Sequence, residues 1–286
     1  MIDPEHLIER LSSYLAARDD IAFAFLFGSW ARGRPTPNSD IDVAVYFYPE
    51  SRELEVEDDV FYKEEDAVWA DVDGISGVES DLLVLNRAPV RVGYTAITEG
   101  ISLCLSDKSL FWKYTLTAGR IFDEYAEFTE SYLEIKARPH SLSDTDRDRL
   151  LRTIDFLQSE IEDVSQFREL DFKRYNEDSA LRRNVERWIE NLVNASIDIA
   201  KVLVSSEKQP IPQTYRETIL RLQTLSGFDD ESINSLSRNV RLRNILAHEY
   251  LDIRHKHISR IIRDAPKEYR HLIDAARNFT SKPENR

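Results

Sequence analysis

The hydrophobic pattern of the 286-residue chain changes character about halfway along: continuous apolar runs alternate with helically spaced ones at first, and later only helical spacing remains. Leu7, Ile8, Leu11, Tyr14 and Leu15 recur at the spacing of an amphipathic helix over residues 4–18. Ile21–Phe27 is an unbroken apolar run between Asp19-Asp20 and Gly28, which predicts a buried strand. A short helix is expected from Ser29, whose hydroxyl can cap it, and a second strand over Asp40–Tyr48. A helix is then expected around Val60–Trp69, a third strand over Glu79–Asn86 and a helix over Ala88–Glu99. Ile101–Leu105 reads as a short strand or turn. Leu110–Ile135 reads as a long helix with Phe111, Tyr114, Leu116 and Ile121 on its apolar face.

Strands then cease. Lys136–Ser143 reads as a linker, because Pro139 breaks the helix before it and Ser143 can cap the one after it. Helices are expected over residues 144–170, 179–206, 214–225, 229–251 and 255–279, with Pro210 and Pro212 separating the second from the third. The expected fold is α+β, with a small mixed sheet flanked by helices in residues 1–135, a linker over 136–143 and an all-α bundle in 144–286.

Composition narrows the class. An apolar fraction of 42% supports a real core, and the one cysteine, Cys104, excludes an intrachain disulfide and a Cys-based zinc site; it is expected to be a small buried hydrophobe. No apolar run approaches the roughly 20 residues of a spanning helix. Asp3, Glu5 and Glu9 follow Met1 in place of the basic start of a signal peptide, so a cytoplasmic protein without a membrane partner is expected. A net charge of −14 argues against an unspecific nucleic-acid coat. The distribution is uneven: residues 1–143 carry 13 Lys and Arg against 27 Asp and Glu, whereas residues 238–286 carry 12 against 6. The basic end is the place for a phosphate backbone to dock, with His255, His257 and His271 on a solvated face there. The acidic run Glu53–Asp59 is expected to be a solvated loop, and of the four tryptophans only Trp30 is a candidate for stacking on a base.

Two constellations carry chemistry. Asp40 and Asp42 lie two apart at a strand, so both side chains project from one face. Carboxylates that close repel unless a cation sits between them, the usual arrangement for Mg²⁺, and Asp81 at the start of the third strand can complete a triad. Gly28 allows a phosphate to approach the backbone, and Ser29 offers a hydroxyl and backbone donors. These parts suit a nucleoside triphosphate and an acceptor hydroxyl aligned for in-line attack. Gly28-Ser29, Ser39-Asp40-Ile41-Asp42 and Asp81 within Glu-Ser-Asp-Leu-Leu-Val-Leu resemble the minimal nucleotidyltransferases, the MNT domains of the DNA polymerase β superfamily, over about the first 130 residues. The resemblance implies that Asp40 and Asp42 ligate two Mg²⁺ ions. It gives Asp81 one of those ions and a part in deprotonating the acceptor, and assigns Gly28, Ser29 and Ser39 to the nucleotide, with ATP as substrate. Arg32 and Arg34 are candidates for phosphate contact, against a solvated role.

The second constellation is Arg243-Asn-Ile-Leu-Ala-His248-Glu-Tyr250. On a helical wheel Leu242, Ile245, Leu246 and Ile253 form the buried face, Asn244 and His248 fall opposite it, and Arg243 and Tyr250 lie at its border. A histidine beside an arginine and an asparagine can move a proton and steady a phosphorane, the needs of metal-independent RNA cleavage through the 2′-hydroxyl. Arg243, Asn244, His248 and Tyr250 fill the four places of the HEPN motif in its toxin branch, and the resemblance covers about 144–280. It implies a ribonuclease acting on RNA, with a cleft built from two protomers and hence a homodimer. In the HEPN/MNT toxin-antitoxin pair, the MNT protein transfers AMP to the motif tyrosine of the ribonuclease and silences it. Here the two are fused, MNT part first.

The expected function is therefore an Mg²⁺-dependent adenylyltransferase that modifies Tyr250, in cis or in a partner subunit, and controls a HEPN ribonuclease. Two alternatives stand beside it: a small-molecule transferase similar to the aminoglycoside-modifying enzymes, its helical domain shaping the acceptor pocket, and a non-catalytic nucleotide sensor.

Overall fold

The computed structural model describes residues 3–36, 39–51, 53–139, 142–242, 246 and 251–281, with residues 251–253 described by their backbone alone. The chain divides into two compact units, Met1–Tyr125 and Ala126–Arg286, and the division falls within one long helix, Lys108–Ala137.

The first unit runs α1 (Pro4–Ala16), β1 (Ile21–Phe27), α2 (Gly28–Ala31), β2 (Ile41–Phe47), α3 (Glu65–Ser76), β3 (Ser80–Val84), α4 (Val90–Glu99), β4 (Ile101–Leu105) and the start of α5 (Lys108–Ala137). The strands form one mixed sheet in the order β3-β2-β1-β4, with β2 and β3 parallel and the other pairs antiparallel. A parallel pair needs a crossover, which α3 supplies. β1 is central and covered on both faces, so Ile21–Leu26 are at most 6% exposed, which accounts for their unbroken apolar run.

A bulge between Ile21 and Phe23 shifts the side-chain alternation of β1. Ile21, Ala24 and Leu26 thereby join Leu7, Leu11 and Leu15 of α1 and Val68 and Val72 of α3 in an aliphatic core. Phe23 instead stacks on Tyr46 at 4.7 Å and meets Phe111 edge-on at 5.4 Å, which makes the other face aromatic. Cys104 pairs with Ala24 across β1 and β4 and is buried as expected; burial pushes its thiol up to about 11.

The acidic run departs from expectation. Glu53, Leu54, Glu55 and Val56 are at most 9% exposed. The Tyr46 hydroxyl donates to the Glu55 carbonyl and accepts from the Glu55 amide, both at 3.0 Å. Asn86, fully buried, accepts from the Phe47 amide at 2.9 Å and donates to the Phe47 carbonyl at 3.0 Å and the Glu55 carboxylate at 2.8 Å; Tyr62 donates to that same carboxylate. The end of β2 has backbone groups to satisfy, and this segment satisfies them, so its charges mark a buried polar network and not a solvated loop. It also delays α3, which begins at Glu65 instead of near Val60.

Among its described residues the second unit has helices and turns but no strand. It comprises α6 (Asp144–Glu162), a 3₁₀ turn (Asp163–Phe167), α7 (Phe172–Glu177), α8 (Ser179–Ser206), α9 (Tyr215–Leu220), a second 3₁₀ turn (Arg221–Thr224), α10 (Asp230–Asn239) and α11 (Leu251–Thr280). Side-chain caps open most of these helices: Ser143, Asp171, Asp178, Thr214 and Asp229 each accept from an amide of the first turn. The cap at Ser143 and the span of α8 agree with expectation, whereas α6 stops at Glu162 and α7 lies where no helix is expected. α6, α8 and α11 pack together through Leu150, Ile154 and Leu157, Leu192, Ile199 and Leu203, and Ile258, Ile261 and Leu272, all at most 1% exposed. The whole is the expected α+β arrangement of a small mixed sheet followed by helices. Among the described residues, no helix is long and apolar enough to cross a membrane.

Candidate functional site

β1 ends at Phe27, and Gly28 turns the chain into α2 with φ +71°, a conformation that favours glycine. Helix α2 begins at Gly28, so Phe27 occupies the capping position and no side chain caps it. The expected cap by Ser29 is therefore absent, because Ser29 already lies inside the first turn. In the neighbouring strand Asp42 stands opposite Phe27 on one side and opposite Asp81 of β3 on the other. A Cβ on Gly28 would lie 1.9 Å from Asp42 Oδ2 and 2.7 Å from its Cγ, so the carboxylate is packed against the glycine backbone.

The electrostatics of this corner are repulsive. The Asp42 carboxyl titrates above its ordinary value, first through burial and then through Asp81 and Asp40, with Arg32 opposing. Asp40 and Asp81 are exposed, and Asp42 is half-buried. Among the described residues, no group of three or more His, Cys, Asp or Glu side chains is gathered as a bound metal would hold it. The donor chemistry nevertheless fits Mg²⁺: Asp40, Asp42 and Asp81 offer only hard, anionic oxygens whose mutual repulsion a cation would relieve.

A cavity of about 550 Å³ opens over Asp42. Gly28, Ser29 and Arg32 line one side, and α4 lines the other with Arg91, Val92, Thr95, Ala96 and Glu99. Arg32 reaches Glu99 across it at 3.6 Å, both more than half exposed, a pair worth at most about 1 kcal/mol. Asp40, Asp81 and Ser39 are not part of its lining. The Ser39 hydroxyl instead accepts from the Thr36 amide at 2.8 Å and lies 2.9 Å from the Thr36 hydroxyl, and the Trp30 indole donates to the Ser39 carbonyl at 3.3 Å. Trp30 packs against the aliphatic core, the default for a tryptophan. The only mark of these α4 residues in the sequence is the polar stripe Arg91, Thr95 and Glu99 at four-residue spacing.

The position of α4 depends on the buried acidic segment. Pro89 stands at its cap with no side-chain acceptor, and the Val90 amide donates instead to Glu57 Oε1 at 2.8 Å. Burial pushes the Glu57 carboxyl up to about 7, Asp58 adds to this and the Val90 amide opposes it. A carboxyl raised on folding contributes stability at pH below its unfolded value and loses it as pH rises through about 7. Glu57→Gln keeps the acceptor and removes the titration. Between pH 5 and 8 the wild type should lose about 2 kcal/mol relative to this variant in denaturant unfolding. Parallel profiles would show that the carboxyl is not held in this way.

In the second unit, Leu242 and Leu246, expected on the buried face, are 1% and 4% exposed. Arg243, Asn244, His248 and Tyr250 lie outside the described residues. Among the histidines expected on an open basic face, His255 packs beside Phe172 and Tyr175 at 5.4 and 5.5 Å, and His271 Nε2 lies 2.5 Å from Asp229 Oδ2. Nearby arginines are also partnered, Arg254 with Glu186 at 3.2 Å and Arg277 with Asp155 at 3.0 Å.

Residues 9–109 match the family described as Polymerase beta, Nucleotidyltransferase, and residues 157–276 match Ribonuclease HepT-like. No curated protein matches the chain. Among solved structures, one described as "Crystal structure of the toxin-antitoxin with AMP-PNP" aligns at 20% identity and a TM-score of 0.40, covering 44% of this chain and 96% of that one. The mixed sheet carrying Gly28, Asp42 and Asp81 falls inside the first match and the α6–α8–α11 packing largely inside the second, so the chain is a fusion of a nucleotidyltransferase domain of the polymerase β kind with a HepT-like, HEPN-family domain.

Proposed function

We propose that residues 1–135 form an Mg²⁺- and ATP-dependent nucleotidyltransferase that adenylylates Tyr250, in cis or in a partner subunit, and so silences a metal-independent HEPN ribonuclease in residues 144–286. The observation that carries this reading is the Asp42 carboxylate packed on Gly28 beneath a cavity of nucleotide size, with Asp81 beside it in register. Asp40, Asp42 and Asp81 would hold the two metal ions, which supply positive charge to the triphosphate and the attacking oxygen. Gly28, Ser29 and Ser39 face or shape the nucleotide. The phenolic oxygen of Tyr250 attacks the α-phosphorus, its proton passes to Asp81, and pyrophosphate leaves as the bridging bond breaks.

In the second domain His248 would move the proton of the RNA 2′-hydroxyl, with Arg243 and Asn244 steadying the phosphorane, in a cleft shared by two protomers. Adenylate phosphates on Tyr250 place negative charge beside Arg243 and exclude the RNA phosphate. Fusion raises the effective concentration of the tyrosine at the transferase site.

The test is intact and peptide mass spectrometry after incubation with ATP and Mg²⁺, followed by an RNA cleavage assay on the same samples. Adenylate mass on the Tyr250 peptide is expected, absent in Tyr250→Phe, with cleavage by unlabelled protein that is lost on labelling and in His248→Ala. A label on another residue or on an added amine, or none at all, would overturn the assignment of the acceptor.

A further inference from the structure

We infer that Arg91, on the α4 wall of the cavity, grips the β- and γ-phosphates of the nucleoside triphosphate; this rests on the reading of the cavity as a nucleotide site. Arg91 is the second residue of α4, whose first turn holds no acidic residue. A cation there opposes the helix dipole, so nothing in the helix itself calls for it. Among the described residues its guanidinium has neither an ion-pair nor a hydrogen-bond partner, and it is exposed into the cavity that contains Asp42.

The other cation of the cavity is differently placed. Arg32 is already opposed by Glu99, the last residue of α4, so that end of the wall carries no net charge. Arg91 and Glu99 are eight residues apart on one helix face, about 12 Å along its axis. The wall is therefore polar along its length, with its uncompensated positive end at Arg91. Val92 and Ala96, between them, give the nucleoside an apolar surface. A nucleotide laid along this wall lowers its energy most with its phosphate tail at Arg91.

The test is calorimetric titration of the full chain with ATP, ADP and AMP in the presence of Mg²⁺, for wild type, Arg91→Ala and Arg91→Lys. One charge-assisted contact to phosphate corresponds to about a 10- to 100-fold loss of ATP affinity in Arg91→Ala. AMP affinity should change by less than about 3-fold, and Arg91→Lys should recover part of the loss. An equal loss for ATP and AMP, or no loss, would overturn the inference while leaving the nucleotide site standing. Failure of the wild type to bind ATP would overturn both. ATP binding that depends on Arg91, with no label reaching Tyr250, would support the inference and count against the proposed acceptor alone.

Discussion

Asp42→Asn should give a protein that melts no lower than the wild type and transfers nucleotide about 1,000-fold more slowly or not at all. The two outcomes have one cause. In the folded chain Asp42 is half-buried, opposite Asp81 and near Asp40, and its carboxyl is raised first by burial and then by these neighbours. Ionised Asp42 is thus a burden on the metal-free fold. A raised carboxyl contributes stability at acid pH and loses it as pH rises through its folded value, so the variant should gain on the wild type at pH 7–8. That gain should disappear under acid conditions, where Asp42 is protonated whether the chain is folded or not. Thermal melts without added Mg²⁺ at the two pH values measure the first outcome, and transfer to protein the second. A lower melting point would make Asp42 a structural residue, and retained transfer would remove it from the chemistry.

Gly28→Ala should lower transfer about 100-fold and cost about 1–3 kcal/mol in stability. Its φ of +71° strains any residue with a Cβ, and that Cβ would stand 1.9 Å from Asp42 Oδ2. Something must move, and the mobile partner is the carboxylate proposed to hold metal. The two costs can be separated. In an Asp42→Ala background the two closest contacts disappear, and only the 3.2 Å approach to the Cβ of residue 42 and the backbone strain remain, so denaturant unfolding should show a smaller penalty for the same substitution. Gly33 supplies a second comparison: its φ is +67°, yet nothing lies within 4 Å of a Cβ there. Gly33→Ala should cost about 1 kcal/mol and leave transfer intact. Equal penalties for Gly28→Ala in both backgrounds would show that contact with Asp42 is not what the glycine protects.

Part of this corner is legible in the sequence. An apolar run that stops at Gly28 marks the turn there, whereas Asp40, expected on the second strand with Asp42, stands just before β2, which begins at Ile41. The adjacency of Asp42 and Asp81 was a weaker inference, because it needs β3 to lie parallel beside β2, and strand order is a property of packing. The α4 stripe was hidden for the same reason, since Arg91 and Glu99 acquire meaning only when the helix crosses above β1 and β2. The acidic run misled because charge ordinarily marks solvent. Here Asn86 and Tyr46 supply the hydrogen bonds that let Glu55 go inside. In the second unit the helices followed the apolar periodicity well, but α7 is too short for a period to declare itself.

The single thiol has a practical consequence for whether the transferase site can reach Tyr250. Cys104 is 6% exposed in β4, and a thiol held up to about 11 supplies almost no thiolate at neutral pH. Cysteines introduced at surface positions will therefore be the fast-reacting ones, with no need to alter the native residue. The natural chain is ready to take a pair of fluorophores or spin labels, one on each unit, as a molecular ruler read with and without ATP.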